Sequence, residues 1–182
     1  MWKFIKSSSD KSNWYIHDKK EICFIGRSNV GKSSLINALS GNSKLAKTSK
    51  TPGRTQLINY FETDDGKIIV DLPGYGFANI SHSSQEKMFA MVDQYFKEAT
   101  PDVVFLLIDA RRGIMNQDQN IIDHLLDLNH NVVLIITKTD KATQKEMSAC
   151  LKSEYFSKLK YLKSDINNYK KIETIKQFIN EI

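Results

Sequence analysis

Gly26-Arg27-Ser28-Asn29-Val30-Gly31-Lys32-Ser33 follows the pattern G-x-x-x-x-G-K-S, a loop that cradles nucleotide phosphates. The apolar run Ile22-Cys23-Phe24-Ile25 precedes it, and the helical pattern Ser34-Leu35-Ile36-Asn37-Ala38-Leu39 follows. Strand, loop and helix in that order form the context the motif requires, which weighs against a chance match in a Gly-Ser loop. Gly26 and Gly31 let the backbone wrap tightly round phosphate oxygens, and the helix start adds the positive end of its dipole. Lys32 places an ammonium near the β- and γ-phosphates, and Ser33 offers a hydroxyl to Mg²⁺.

Outward from this unit, apolar runs alternate with helical patterns. Residues 57–63 and 67–71 read as two strands joined by Asp64-Asp65-Gly66, a hairpin signal. Val103-Val104-Phe105-Leu106-Leu107-Ile108 and Val132-Val133-Leu134-Ile135-Ile136 are continuously apolar, as parallel strands covered on both faces require. Tyr161-Leu162 reads as a short edge strand. Helical spacing appears over residues 83–99, 117–128 and 171–182, and Thr143-Gln144-Lys145-Glu146 is a capping box opening a helix to about residue 155. The order predicts an α/β, three-layer P-loop NTPase fold of the small-GTPase kind. Its sheet is expected to be mostly parallel and six-stranded, with one antiparallel strand. Residues 1–20 read as an N-terminal arm, packed on the core or partly mobile, and residues 21–182 as a single domain.

Composition narrows the class. The 182 residues suffice for one domain whose core needs no disulfide or structural metal. Two cysteines, Cys23 and Cys150, make no disulfide framework, so a reducing compartment is expected. No apolar run approaches the roughly 20 residues of a membrane span. The start, Met1-Trp2-Lys3-Phe4-Ile5-Lys6, lacks the long apolar segment of a signal peptide. The net charge is +5, and residues 138–182 hold ten Lys against six Asp and Glu. That balance suits a phosphate-rich partner such as RNA and equally a solvated lysine surface. His17, His82, His124 and His130 show no metal-ligand spacing and read as surface or packing residues, while Trp14 and Tyr15 read as anchors of the arm.

The motifs downstream decide which nucleotide. Ile68-Ile69-Val70-Asp71-Leu72-Pro73-Gly74 is an apolar strand ending in D-x-x-G. Asp71 there would reach Mg²⁺ through water, and the amide of Gly74 would sense the γ-phosphate. Thr137-Lys138-Thr139-Asp140 follows a buried run, where an Asp carboxylate can accept hydrogen bonds from N1–H and the 2-amino group of guanine. Adenine has neither donor, and leaving such a carboxylate unpaired costs on the order of several kcal/mol. Lys138 would lay its stem along the base or the loop. A loop between phosphate loop and D-x-x-G should supply a threonine to Mg²⁺; Thr51 and Thr55 are both candidates, with Thr55 favoured because it lies just before the edge strand.

Together these segments resemble the EngB (YihA/YsxC) family of small GTPases within the TRAFAC class. The resemblance rests on residues 21–39, Thr51-Pro52-Gly53-Arg54-Thr55-Gln56-Leu57 to Phe61, Asp71-Leu72-Pro73-Gly74-Tyr75-Gly76-Phe77-Ala78, Leu107-Ile108-Asp109-Ala110-Arg111-Arg112-Gly113 and Thr137-Lys138-Thr139-Asp140-Lys141. Thr137, where most GTPases carry Asn, is similar to this family's own form. The resemblance implies a GTP-hydrolysing switch acting in assembly of the large ribosomal subunit, with rRNA and ribosomal proteins as partners. It also implies a need for the protein in normal cell division and septation. GTP or GDP and Mg²⁺ would be its ligands, and a monomer in the bacterial cytoplasm, or in the matrix or stroma of a bacterium-derived organelle, its expected state. The candidate nucleotide-binding residues are then Gly26, Arg27, Ser28, Asn29, Val30, Gly31, Lys32, Ser33, Ser34, Gly53, Arg54, Thr55, Gln56, Leu57, Asp71, Leu72, Pro73, Gly74, Thr137, Lys138, Thr139 and Asp140. Ser164, in Tyr161-Leu162-Lys163-Ser164-Asp165, is a further candidate for base contact. Ser33, Thr55 and Asp71 (through water) would hold Mg²⁺, and Lys32, Thr55 and Gly74 would act in catalysis.

One position departs from the common GTPase pattern. Where many regulatory GTPases carry a Gln that positions the attacking water, this chain has Tyr75, a poor substitute, so slow intrinsic turnover is expected. Help could come from the ribosomal partner or from K⁺ held by Asn29, which otherwise serves as a loop-stabilising side chain. Arg111 and Arg112 could meet RNA phosphate or form intramolecular ion pairs. A GTP-binding scaffold with negligible hydrolysis, acting directly in division, is the competing reading.

Overall fold

The computed structural model describes residues 1–47, 57–76 and 81–182. Among these described residues, seven strands form one sheet: β1 (Lys3–Ser8), β2 (Glu21–Gly26), β3 (Ile58–Glu62), β4 (Ile68–Asp71), β5 (Val103–Asp109), β6 (Val132–Thr137) and β7 (Tyr161–Lys163). The helices are α1 (Lys32–Ser40), α2 (His82–Glu98), α3 (Asn116–Asp127), α4 (Gln144–Leu151), α5 (Tyr155–Lys158) and α6 (Tyr169–Asn180). Strand order is β1-β3-β4-β2-β5-β6-β7. β3 pairs antiparallel with both β1 and β4, and every other pairing is parallel, so β3 alone runs against the rest.

The α/β class and the single reversed strand agree with the sequence reading, but the sheet has seven strands where six are expected. The extra one, β1, lies in the segment read as an arm. Its side chains are mostly half-buried or exposed, so it carries no clear apolar alternation. It is held by its ladder to β3 and by the edge contact of Phe4 with Phe61, 5.8 Å between centroids. The arm behind it is anchored as expected: Trp14 meets Tyr95 edge-on at 5.8 Å and Tyr15 meets Tyr60 at 6.0 Å. The helix expected to reach residue 155 stops at Leu151. There Lys152 and Ser153 turn their amides back onto Ala149 and Cys150, three residues away, and one further turn resumes at Tyr155.

Alternation along the central strands builds the three layers. Ile22 and Phe24 of β2 and Phe105 and Leu107 of β5 point to one face, where α1 contributes Leu35, Ile36 and Leu39 and α6 contributes Ile172, Ile175 and Ile179. Cys23, Ile25, Val104 and Leu106 point to the other, under Tyr95 and Phe96 of α2 and Ile122 and Leu125 of α3. Phe24 is fully buried and meets Phe105 edge-to-face at 5.1 Å. Burying one such ring stabilises by roughly 1.5–3 kcal/mol. Both cysteines are buried and free. Among the described residues no helix is long and apolar enough to cross a membrane.

This order positions the site. β2 sits between β4 and β5, and the chain leaves it toward β3 and β4 on one side before crossing to β5 on the other. The carboxyl ends of strands at such a reversal open a crevice in which α/β proteins bind ligands.

Candidate nucleotide site

The phosphate loop leaves β2 at Gly26 and enters α1 at Lys32. Two residues in it carry positive φ, Asn29 at 62° and Gly31 at 102°. Asn is among the few side chains that tolerate this region, which explains its presence without reference to a ligand. Gly31 caps α1 with no side chain, so the first amides of the helix carry no side-chain cap and remain available to an anion. At Gly26 an added Cβ would lie 2.9 Å from Val30 Cγ1 and 3.2 Å from the Leu107 carbonyl oxygen, so close packing excludes any side chain there.

The D-x-x-G segment is fastened to this loop. Tyr75 N–H donates to the Gly26 carbonyl at 3.2 Å, and Ser28 N–H donates to the Tyr75 carbonyl at 2.7 Å. Between them Gly74 lies so near that a Cβ would stand 3.2 Å from both the amide nitrogen and Cα of Ser28. Asp71, at the end of β4, pairs with Lys32 in a buried salt bridge. Leu72 and Pro73 are buried between the two.

The Thr137–Asp140 segment closes the crevice from β6. Thr137, where Asn is usual, donates its buried hydroxyl to the Val30 carbonyl at 2.7 Å and so ties this segment to the phosphate loop. Lys138 extends its stem beside Gly31, where an added Cβ would lie 3.6 Å from Cε. Its ammonium donates to the Asn29 carbonyl at 2.5 Å and to Asp109 at 3.2 Å. Thr139 donates both its amide (3.3 Å) and its hydroxyl (3.0 Å) to the Ser164 carbonyl. Ser164 is buried and lies directly after β7, so the loop singled out by the sequence does meet the Thr137–Asp140 turn. Asp140 is exposed. A cavity of about 290 Å³ opens here, lined by Ser28, Asn29, Asp109 and Lys138 among others.

The electrostatics centre on Asp109. Burial alone would raise its pKa. Hydrogen bonds from the Arg111 side chain and backbone, joined by Lys138, outweigh that and bring it to about 2. Arg111 grips the carboxylate with two guanidinium nitrogens, at 3.0 and 2.7 Å, so its intramolecular pairing is the one realised. The histidines likewise serve packing: His17 meets Glu21, His124 meets Asp93 and His130 meets the Phe96 carbonyl.

Gly26, Arg27, Ser28, Asn29, Val30, Gly31, Lys32, Ser33, Asp71, Gly74, Thr137, Lys138, Thr139 and Ser164 thus gather around one crevice. Thr51, Gly53, Arg54, Thr55 and Gln56 lie outside the described residues, and Leu57 is exposed just before β3. Ser33 opens α1 beside Lys32, and Lys32 reaches Asp71, so the proposed Mg²⁺ residues sit on neighbouring elements. Among the described residues no group of three or more His, Cys, Asp or Glu could hold a metal. A Mg²⁺ ion that takes one or two protein ligands and completes its shell with phosphate and water fits that donor set.

Two residues escaped the sequence. Asp118 accepts the Tyr75 hydroxyl in the interior, and Gln117 accepts from Arg27 Nη1 at 2.8 Å. An acidic residue in the first turn of a helix reads as ordinary dipole placement, and its partner lies 43 positions away.

Residues 21–138 match the family described as 50S ribosome-binding GTPases. The probable GTP-binding protein EngB of Metamycoplasma arthritidis is 56% identical over 147 residues, which cover 80% of this chain and 80% of that protein. The protein of the same description from Mycoplasmopsis pulmonis is 52% identical over 154 residues, 84% of this chain and 82% of its own length. A crystal structure of a probable GTP-binding protein EngB superposes with a TM-score of 0.71 at 26% identity, covering 88% of this chain and 97% of the other.

Proposed function

Since the chain belongs to the EngB family of GTPases, within the 50S ribosome-binding group, we propose that it is a GTP-hydrolysing switch that acts in assembly of the large ribosomal subunit. The observation that carries the switch is the pair of hydrogen bonds through which Tyr75 ties the D-x-x-G segment to Gly26 and Ser28. A γ-phosphate contacting the Gly74 amide would therefore act on a segment already joined to the phosphate loop. Lys32 would turn from Asp71 to the β- and γ-phosphates, Asp140 would read guanine, and Ser164 would support the base through Thr139. Ser33, Thr55 and Asp71, the last through water, would hold Mg²⁺. An ion held there would supply positive charge against the charge that develops on the phosphates. The pre-ribosomal particle is the proposed partner, the bacterial cytoplasm the proposed place of action and residues 21–182 the proposed GTPase unit, behind the segment 1–20.

Co-sedimentation with ribosomal subunits tests the reading. The chain is expected to pellet with large subunits in a non-hydrolysable GTP analogue and to remain in solution with GDP. Equal pelleting in both states removes the switch.

Tyr75 is the feature that suits a scaffold with negligible hydrolysis. Its ring is buried rather than turned toward the crevice, so it cannot orient a water at the γ-phosphate from this position. GTP turnover that stays negligible even with large subunits present would favour a scaffold acting in cell division. Turnover stimulated by them supports the enzyme.

The missing charge has a second proposed source in K⁺. Asn29 is exposed, and its side chain makes no hydrogen bond among the described residues, so its amide oxygen is available to an ion. GTPase rates in KCl are expected to exceed those in NaCl by about a hundredfold, the lower end of what one preorganised electrostatic contact supplies. Equal rates, or indifference to Asn29→Ala, remove the ion from the mechanism.

A further inference from the structure

Tyr75 does not point at the crevice, yet it is the residue through which three elements meet. Its backbone amide and carbonyl bond Gly26 and Ser28 of the phosphate loop. Its side chain, only 3% exposed, donates its hydroxyl to Asp118 of α3. Asp118 is 1% exposed, and its other oxygen accepts the Met115 amide at 2.8 Å, so both carboxylate oxygens are engaged. One residue earlier in the same helical turn, Gln117 accepts from Arg27 of the phosphate loop at 2.8 Å. Gly76, on the far side of Tyr75, adopts φ of 78°, and an added Cβ would meet Gln117 Oε1 at 3.0 Å and Arg27 Cζ at 3.1 Å. Phosphate loop, D-x-x-G segment and the start of α3 therefore form a closed triangle.

The chemistry of the corner at Asp118 explains its hold. A buried carboxylate left without a donor carries a large desolvation penalty, so the Tyr75 hydroxyl is bound to it rather than merely near it. Both groups are pushed toward their neutral forms by burial, which keeps the tyrosine a donor over the working pH range. The Gly74 amide, one residue back, donates to no backbone carbonyl among the described residues. The triangle thus fixes Tyr75, the residue that follows this amide, while leaving the amide itself available at the edge of the loop.

We propose that Asp118 is a positioning residue for the GTPase cycle: by holding the buried Tyr75 hydroxyl it sets the Gly74 amide where a γ-phosphate meets it, and so contributes to telling triphosphate from diphosphate. The inference rests on the reading of Gly74 as the γ-phosphate sensor. It gives the residue in the usual water-orienting place a different task, which is fastening the segment to α3.

The test compares affinities for a non-hydrolysable GTP analogue and for GDP in the full chain, with Mg²⁺, for Tyr75→Phe, Asp118→Asn, their double variant and Gly74→Ala. Tyr75→Phe keeps the buried ring and removes only the hydroxyl, so its fold is preserved, and a thermal melt verifies this. Tyr75→Phe is expected to weaken the GTP analogue about tenfold, the scale of one hydrogen bond, and Asp118→Asn by less, because its amide can still pair with the Tyr75 hydroxyl, with GDP affected less than about twofold in both. The double variant should be no worse than Tyr75→Phe, since once the hydroxyl is gone the contact has nothing further to lose. Equal losses for the two nucleotides, or an unchanged ratio in Tyr75→Phe, overturn the positioning role. Gly74→Ala separates the two ideas. If it shifts the ratio while Tyr75→Phe does not, the sensor stands and the latch falls. If Gly74→Ala leaves the ratio unchanged, the sensor falls and the latch with it.

Discussion

Asp140→Asn is expected to move nucleotide preference from GTP to xanthosine triphosphate, by a factor on the order of 10³ in the ratio of affinities. A carboxylate offers guanine two acceptors for N1–H and the 2-amino group. An amide turns one of those acceptors into a donor, so a donor faces a donor and one contact of several kcal/mol is lost. Xanthine carries a carbonyl in place of the amino group and restores the pairing. The fold should not suffer. Asp140 is exposed, and the turn that carries it is held by other groups: Thr139 on the Ser164 carbonyl, and Lys141 N–H on the Lys138 carbonyl at 3.0 Å. Lys171 donates to the Thr139 hydroxyl at 2.8 Å and steadies the same turn from α6. The measurement is displacement of a fluorescent nucleotide by GTP and by xanthosine triphosphate, with a melt to confirm equal stability. Intact GTP affinity would mean that the base is read elsewhere.

The elements that carry this site were legible because each has a local signature. Residues 26–33 announce their glycines and lysine within eight positions, and the runs at 103–108 and 132–136 announce burial by unbroken apolarity. β1 was not legible, because an edge strand held by its ladder and by one Phe–Phe contact shows neither alternation nor a continuous run. The Tyr75–Asp118 pair was hidden for a different reason: the sequence displays each residue, but only the packing of α3 against the segment brings them together. Thr137 lies between these cases. Its departure from Asn was visible, while its task, a hydroxyl clamped on the Val30 carbonyl, required the loop and β6 to be placed side by side. Arg111 shows the reverse limit, since a run of two arginines suggests a phosphate partner until Asp109 is seen to occupy the first of them.

Lys32→Ala should separate two roles that the phosphate-loop lysine performs at once. Lys32 and Asp71 are both almost wholly buried and form an ion pair across α1 and β4. Removing the ammonium leaves a buried carboxylate uncompensated, which costs about 3–5 kcal/mol, a large share of the roughly 5–15 kcal/mol that holds a domain folded. Urea denaturation of Lys32→Ala should therefore show a much lower midpoint than the parent chain. Adding Asp71→Asn removes the charge that lost its partner, so the double variant should regain most of that stability. GTP affinity, in contrast, should be lost in both, because neither offers an ammonium to the β- and γ-phosphates. The two readouts divide the possibilities. A single variant as stable as the parent would mean that Lys32 serves the ligand alone. A double variant as unstable as the single would mean that Asp71 is held by something other than Lys32. If stability returns while affinity does not, the pair acts as a store. Asp71 would then shield the lysine inside the protein until a triphosphate competes for it, and its release would free the carboxylate to face the Mg²⁺ proposed for this site.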